Sequence, residues 1–300
     1  MGKLKDKLFS AAPVITAEVT PPKGSGIKKL IRHAESLKPF VDAINITDCQ
    51  RALVKMSSLA ACRILLDHQI EPVFQLTCRD RNRIALQSDL MGASALGIPN
   101  VLCLTGDPVK VGDCPEAKSV FEIESLKLLQ IAGKLQQGKD DGGNKMNAPT
   151  RFMLGSAINP TLQGNSNQMS RMAKKVESGA HFFQTQANYN LEDFKSFCIE
   201  ARKLNTKILA GILILHSYES AQFIHKNIPG IQIPNSILDS FKNSSNEEQT
   251  GIELAVNSMV HLASVVDGFH VMSIRKEELI VQVLESYHDK RNTQKNPSLL

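Results

Sequence analysis

Apolar residues recur along this chain in two alternating rhythms. Short runs rich in β-branched and aromatic residues read as strands: Val14–Val19, Ala43–Thr47, Val73–Thr77, Val101–Thr105, Phe152–Ala157, His181–Gln186, Ile208–Ile214 and Gly268–Ser273. Between them the apolar spacing lengthens to that of a helix, over Ile27–Leu37, Leu53–Leu66, Arg81–Leu96, Ser119–Gln136, Gln168–Glu177 and Glu192–Leu204. The seventh run leads into a longer excursion from Tyr218, broken at Pro229 and Pro234 and resuming at Gly251–Val265. A last helix is expected over Glu277–Tyr287. The stretch Phe74–Pro108 shows the unit most plainly. An apolar run, a helix with Ile84, Leu86, Leu90, Met91, Ala95 and Leu96 mostly on one side, a stop at Gly97 and a second apolar run make a βαβ crossover. Eight such alternations predict an α/β fold, a single closed (β/α)8 barrel.

Most strands start about 30 residues apart, as one βα unit requires. A longer gap holds Gln137–Pro149, rich in Gly, Asn and Asp, expected as a mobile loop on the bottom face. The gap after the seventh strand lies on the top face, where it can shape a mouth. The barrel is expected over residues 1–288 as one domain, with a polar, frayed tail at 289–300.

Composition changes this picture little. The net charge of +5 comes from scattered lysines, so nucleic-acid binding is not expected, although a basic interior site for an anion would fit. Six cysteines lack any CxxC pair, which favours buried free thiols over a metal site or disulfides. There is no signal-peptide core, no membrane-spanning run and no myristoylation signal at Gly2, so a soluble cytoplasmic protein is expected.

Parallel barrels carry their chemistry at the carboxyl ends of the strands. Glu18 stands in the apolar context ITAEV, inside the barrel. A buried carboxylate must pair or carry a raised pKa, and a raised pKa would make it a general acid. The alternative is a structural carboxylate bonded to a neighbouring strand. Thr47 and Asp48 end the second strand, Gln75 and Thr77 the third, and Thr105, Gly106 and Asp107 the fourth. Asp107 is a site candidate or an Asx-turn or helix N-cap. Asn159 follows the fifth strand, Gln184 and Gln186 end the sixth, and His216 and Tyr218 follow the seventh. His216 reads more readily as structural. Arg79 and Arg81 suit a phosphate or a salt-bridge cluster with Asp80. No glycine pattern makes a Rossmann or P-loop fingerprint, and no strand end offers a Schiff-base lysine.

Glu-x-x-Pro-Pro at Glu18–Pro22, Leu-Thr-Cys at 76–78, Thr-Gly-Asp at 105–107 and Glu-Ser-Gly-Ala at 177–180 leading to Thr-Gln at 185–186 stand in order on this frame. From Val14 to about Ser273 the sequence resembles the methylenetetrahydrofolate reductase family. Residues 78–107 are especially similar to the subgroup often fused to homocysteine methyltransferases. The resemblance implies a flavin (FAD, with FMN possible) that takes hydride from NADH or NADPH and passes it from N5 to 5,10-methylenetetrahydrofolate, yielding 5-methyltetrahydrofolate. It implies Glu18 as the general acid at folate N10, Asp107 near pterin and flavin, Gln186 on the pterin, and Tyr218 near the aminobenzoyl group. Thr47, Gln75, Thr105, Gly106, Ala157, Asn159 and Lys175 match cofactor-contacting positions, the lysine near phosphate. It further implies one-carbon metabolism, methionine biosynthesis and a homo-oligomer.

Four positions depart from the family pattern. Gln75 replaces a histidine, Thr105 an arginine, and Ala187-Asn188-Tyr189 an aromatic run that helps hold nicotinamide, while the loop Asn159–Gln168 is short. The change at 187–189 motivates a second reading, a flavin-carrying subunit fed by a redox partner protein. A third is a flavin-free pterin-binding barrel serving methyl transfer.

Overall fold

The computed structural model describes residues 2–10, 12–160, 167–228 and 230–295. Its strands are β1 (Val14–Val19), β2 (Ala43–Ile46), β3 (Pro72–Thr77), β4 (Asn100–Leu104), β5 (Met153–Ile158), β6 (Phe182–Thr185), β7 (Lys207–Ile214) and β8 (Gly268–Ser273). All neighbours are parallel and follow chain order, and β8 closes onto β1 with Val14 beside Gly268. This is the expected (β/α)8 barrel.

Period-two alternation sorts each strand's side chains between two cores. Val14, Ala43, Val73, Leu102, Met153, Phe182 and Leu209 meet at the amino ends of the strands, inside the barrel. Leu4 and Leu8 join them from α1 (Lys3–Leu8), a helix the sequence reading did not anticipate. It plugs the bottom, and Glu71 accepts hydrogen bonds from its Lys3 and Leu4 backbone amides. Residues of opposite parity, such as Ile15, Ala17 and Val19, pack outward against Leu30, Ala34 and Leu37 of α2 (Lys28–Leu37). The remaining helices of the wall are α3 (Ser58–Asp67), α4 (Arg83–Ala95), α5 (Ser125–Gln136), α6 (Asn167–Glu177) and α7 (Leu191–Arg202). Three helices, α8 (Tyr218–Asn227), α9 (Asn235–Lys242) and α10 (Glu247–Leu262), fill the excursion after β7, and α11 (Glu278–Lys295) closes the described chain.

Two stretches read as helix are loops. Residues 53–57 and 119–124 bond to other loops instead, Val54 N–H to Asp113 at 2.8 Å and Val120 N–H to the Arg79 carbonyl at 2.8 Å. Their apolar residues carry helical spacing without burial, since Leu53, Val54 and Val120 are exposed. On α4, Leu86, Leu90 and Ala93 face the core, while Ile84 and Met91, with Leu96 at the C-cap, are exposed. Gly97 ends that helix at φ +78° as expected.

The segment Gln137–Pro149 is not a loose bottom loop. Lys139 pairs with Lys145 in an antiparallel bridge, and Asp141 accepts from Lys127 and Lys134 of α5 and from Arg83 of α4. The turn-forming residues are tied to charges on the neighbouring helices. These contacts hold the Asp141 carboxyl at about 2, the Lys134 hydrogen bond leading. The last helix continues beyond Tyr287 to Lys295, so residues 289–295 are helical. Residues 296–300, Pro229 and most of the short Asn159–Gln168 loop lie outside the described residues. Among the described residues no helix is long and apolar enough to cross a membrane.

Candidate active site

Above the bottom core the barrel interior turns polar, and two pairs of side chains meet there. Asn45 of β2 and Gln184 of β6 exchange two amide hydrogen bonds across the interior, at 2.8 and 3.0 Å. Thr16 of β1 meets His270 Nδ1 of β8 at 3.0 Å. One layer higher, Glu18 reaches the mouth with its side chain 13% exposed. Its Oε1 accepts from Gln50 Nε2 at 3.0 Å and its Oε2 from Gln75 Nε2 at 3.3 Å. His270 Nε2 faces Oε2 at 3.8 Å. Burial of this carboxylate is therefore compensated by two amide donors and an imidazole.

Gln50 belongs to a loop under strain. Cys49, Arg51 and Ala52 adopt φ of 46°, 55° and 54°, a left-handed backbone that costs non-glycine residues on the order of 1 kcal/mol or more each. Contacts from three sides hold it there. Asp107 Oδ2 accepts from Arg51 N–H at 2.8 Å, and the Arg51 guanidinium sits 5.6 Å above the Phe223 ring of α8. Gly112 approaches so closely that a Cβ there would lie 2.0 Å from the Ala52 carbonyl oxygen. Lys23 and Asp113 form an ion pair that binds the loop after β1 to the same assembly. Asp107 thus caps no helix; it anchors the loop that carries Gln50 to Glu18. Gly106 makes this possible, since its φ is +98° and a Cβ would press to 3.1 Å from Thr77 and Arg79.

Asp48, next to Thr47, is a structural hub. It accepts from the Thr77 amide and hydroxyl, from Ser58, and from both Arg81 terminal nitrogens at 2.7 and 3.1 Å. Arg79 forks onto Asp80 at 2.8 and 2.6 Å. The salt-bridge alternative for these two arginines is the one the structure adopts. Thr47 is buried, with a hydroxyl that has no partner among the described residues.

The other sequence candidates divide. Ala157 is exposed at the end of β5, leaving the mouth open on that side. Gln186 lies half-buried just past β6, its N–H bonded to the Ile158 carbonyl at 2.9 Å. Gln184, by contrast, is spent on Asn45. Four candidates turn toward neighbours instead. Thr105 Oγ1 accepts from Ser125 N–H at the start of α5, 3.2 Å away. Asn159 lies against Gly230, where a Cβ would stand 2.6 Å from its Nδ2. Tyr218 receives a 2.7 Å bond from Gln222, and Lys242 stands 5.0 Å over its ring. Lys175 is buried behind β5 and donates to the Ala157 carbonyl at 2.8 Å. Burial, reinforced by Arg171, lowers its pKa to about 8. His216 is likewise pushed down by burial, its Nδ1 lacking a partner among the described residues.

Two site residues escaped the sequence reading. Inward parity in GFHVMS, two residues after Gly268, could have placed His270 inside the barrel. Gln50 offered no signal, because its position depends on the loop's unusual backbone.

A family model described as methylenetetrahydrofolate reductase matches residues 3–288. The chain belongs to the methylenetetrahydrofolate reductase family. It is 24% identical over 94% of its length to methylenetetrahydrofolate reductase 1 of Schizosaccharomyces pombe, of which it covers 48%. Against the second S. pombe enzyme of that name the share is 46%, so the chain spans about half the length of these relatives. It is 21% identical to 5,10-methylenetetrahydrofolate reductase of Buchnera aphidicola, covering 90% of each chain. Among solved structures, a Clostridium thermocellum protein described as binding two copies of 5-methyl-5,6,7,8-tetrahydrofolic acid superposes with a TM-score of 0.66 at 18% identity. That match covers 94% of this chain and 98% of the other. At this identity the likeness shows a shared barrel.

Proposed function

We propose that this family member reduces 5,10-methylenetetrahydrofolate to 5-methyltetrahydrofolate, with Glu18 as the general acid. The observation that carries the reading is Glu18 itself, an interior carboxyl at the barrel mouth held by Gln50 and Gln75 and backed by His270. The residues present fit a flavin, FAD or FMN. Thr47 has an orphaned buried hydroxyl, and Ala157 and Gly106 leave the ends of β5 and β4 free of bulky side chains. Thr47, Gln75, Gly106 and Ala157 would hold it. Thr105, Asn159 and Lys175 would contribute only by releasing their present partners. A bound flavin would supply hydride transfer from a donor to the folate methylene carbon.

The chain's own residues account for the proton. Glu18 protonates folate N10 so that it leaves as an amine when the five-membered ring opens. The N–H groups of Gln50 and Gln75 then receive the carboxylate. Asp107 keeps Gln50 in place through Arg51, and Gln186 stands at the mouth for the pterin, with Tyr218 toward the aminobenzoyl side. Replacing Glu18 by Gln should leave flavin bound while folate reduction falls about 10²- to 10⁴-fold, the usual worth of a general acid. Stopped-flow mixing of reduced protein with folate measures this. A mutant that oxidises at the wild-type rate would remove Glu18 from the mechanism.

For the electron source, NADH or NADPH competes with a partner protein, and one observation favours the partner. Tyr189 is tied by its hydroxyl to the Leu213 carbonyl at 2.8 Å and Ala187 is buried, so residues 187–189 offer one anchored, partly buried ring in place of an aromatic run. The same reading takes residues 1–288 as one catalytic domain and places it in the cytoplasm, in one-carbon metabolism leading to methionine. Buried free thiols at Cys62, Cys78, Cys103 and Cys198 suit that reducing compartment. Association into a homo-oligomer would cover Ile84 and Met91, two turns apart on the outer side of α4. Light scattering should then give a multiple of 33.0 kDa, and a monomer at micromolar concentration would refute it.

A further inference from the structure

We propose that His270 and Thr16 form a proton-positioning relay behind Glu18, with imidazole Nε2 as the proton reserve of that carboxyl. The inference rests on reading Glu18 as the acid, and its first test does not require turnover.

Two contacts of Thr16 orient the imidazole. Thr16 Oγ1 lies 3.4 Å from the Phe269 carbonyl oxygen and 3.0 Å from His270 Nδ1. A carbonyl only accepts, so a hydroxyl turned to it leaves its lone pairs for a donor. The relay accordingly assigns the neutral ring's proton to Nδ1, donated to Thr16 Oγ1. With Nδ1–H held by Thr16, Nε2 is the ring nitrogen left free, and it faces Glu18 Oε2 at 3.8 Å. The ring is 3% exposed, wedged between β1 and the interior. Among the described residues, His270 is the one basic side chain within 4.0 Å of Glu18; the neighbouring Gln50 and Gln75 are amides that cannot supply an acidic proton.

The sequence of proton movements balances. Glu18 gives its proton to the leaving nitrogen and keeps the O–H electron pair as carboxylate. The imidazolium passes its Nε2 proton to Oε2 as the pair closes from 3.8 Å to hydrogen-bond reach, and returns to the neutral Nδ1–H form. Solvent reprotonates Nε2 while the site is open. His270 touches no reacting atom in this scheme; it positions and reloads the group that does.

The test is ¹⁵N NMR of the protein labelled in its histidine rings. The relay predicts the Nδ1–H tautomer for neutral His270, and an Nε2 resonance that shifts in Glu18→Gln while Nδ1 stays nearly fixed. An Nε2–H tautomer, or an Nε2 signal indifferent to Glu18→Gln, would overturn it. Thr16→Val should move the tautomer balance toward Nε2–H; an unmoved balance would count against the Thr16 arm. In turnover, His270→Asn keeps an N–H able to reach Thr16 but lacks Nε2. Its reoxidation by folate should slow about tenfold or more, with an altered pH profile. An unchanged pH profile in a folded His270→Asn protein would mean a structural histidine. Should the wild type fail to oxidise with folate at all, the functional reading falls while the tautomer result still stands.

Discussion

Lys175 shows what a single residue's surroundings can decide. It is a long basic side chain that the family resemblance would set near phosphate, yet here it is 8% exposed with its amine on the Ala157 carbonyl. Its pKa falls from an ordinary 10.5 to about 8. A depressed lysine pKa means that the folded state disfavours the charged form, so the cost is fully present below about 8 and is relieved as pH rises toward 10.5. Wild-type stability should therefore climb across that window relative to Lys175→Met, by up to about 3 kcal/mol. Denaturant melts of both proteins at pH 7, 8, 9 and 10 measure the difference; parallel curves would contradict the burial argument. Sequence pattern could find Glu18, because a carboxylate in an apolar strand is conspicuous. It could not foresee that Lys175 turns to the back of the strand, since orientation there depends on packing of α6 against β5.

At the scale of elements, strands and helix cores were legible because burial imposes period 2 or 3.6 on the residues themselves. Misreadings fall where apolar residues lie in loops, as at Leu53, Val54 and Val120, or where polar residues find partners far along the chain. The Gln137–Pro149 hairpin is the second kind. Turn-rich composition suggested mobility, whereas Asp141 collects Arg83, Lys127 and Lys134. A carboxyl depressed to about 2 stabilises the fold above its unfolded pKa near 3.9, and that contribution is lost as pH falls from about 4 toward 2. With solvent screening, Asp141→Asn should cost about 1 kcal/mol at pH 7 and little at pH 2. Urea titrations at the two pH values check it, and an equal loss at both would locate the effect elsewhere. The strained 49–52 loop was illegible for another reason. Its positive φ values arise from contacts with Asp107, Gly112 and Phe223, none of them local.

The whole molecule was the most readable scale. Eight repeats of one unit leave few closures open, and right-handed βα crossovers with parallel strands lead to a barrel. The barrel then explains why residues as distant as Glu18, Gln75 and His270 converge, since β1, β3 and β8 deliver their carboxyl ends to one mouth. On the proposed reading the electron source is a separate question, set at the loop 187–189 where the sequence departs from the family pattern.

The central claim, hydride delivery to folate at this mouth, can be isolated from that question. The purified protein is saturated with FAD, its absorption spectrum recorded, and the flavin reduced anaerobically by light and EDTA so that no biological donor is needed. Addition of 5,10-methylenetetrahydrofolate should restore the yellow oxidised spectrum and yield 5-methyltetrahydrofolate in equal amount. A protein that binds no flavin, or one that stays bleached with folate present, would contradict the account.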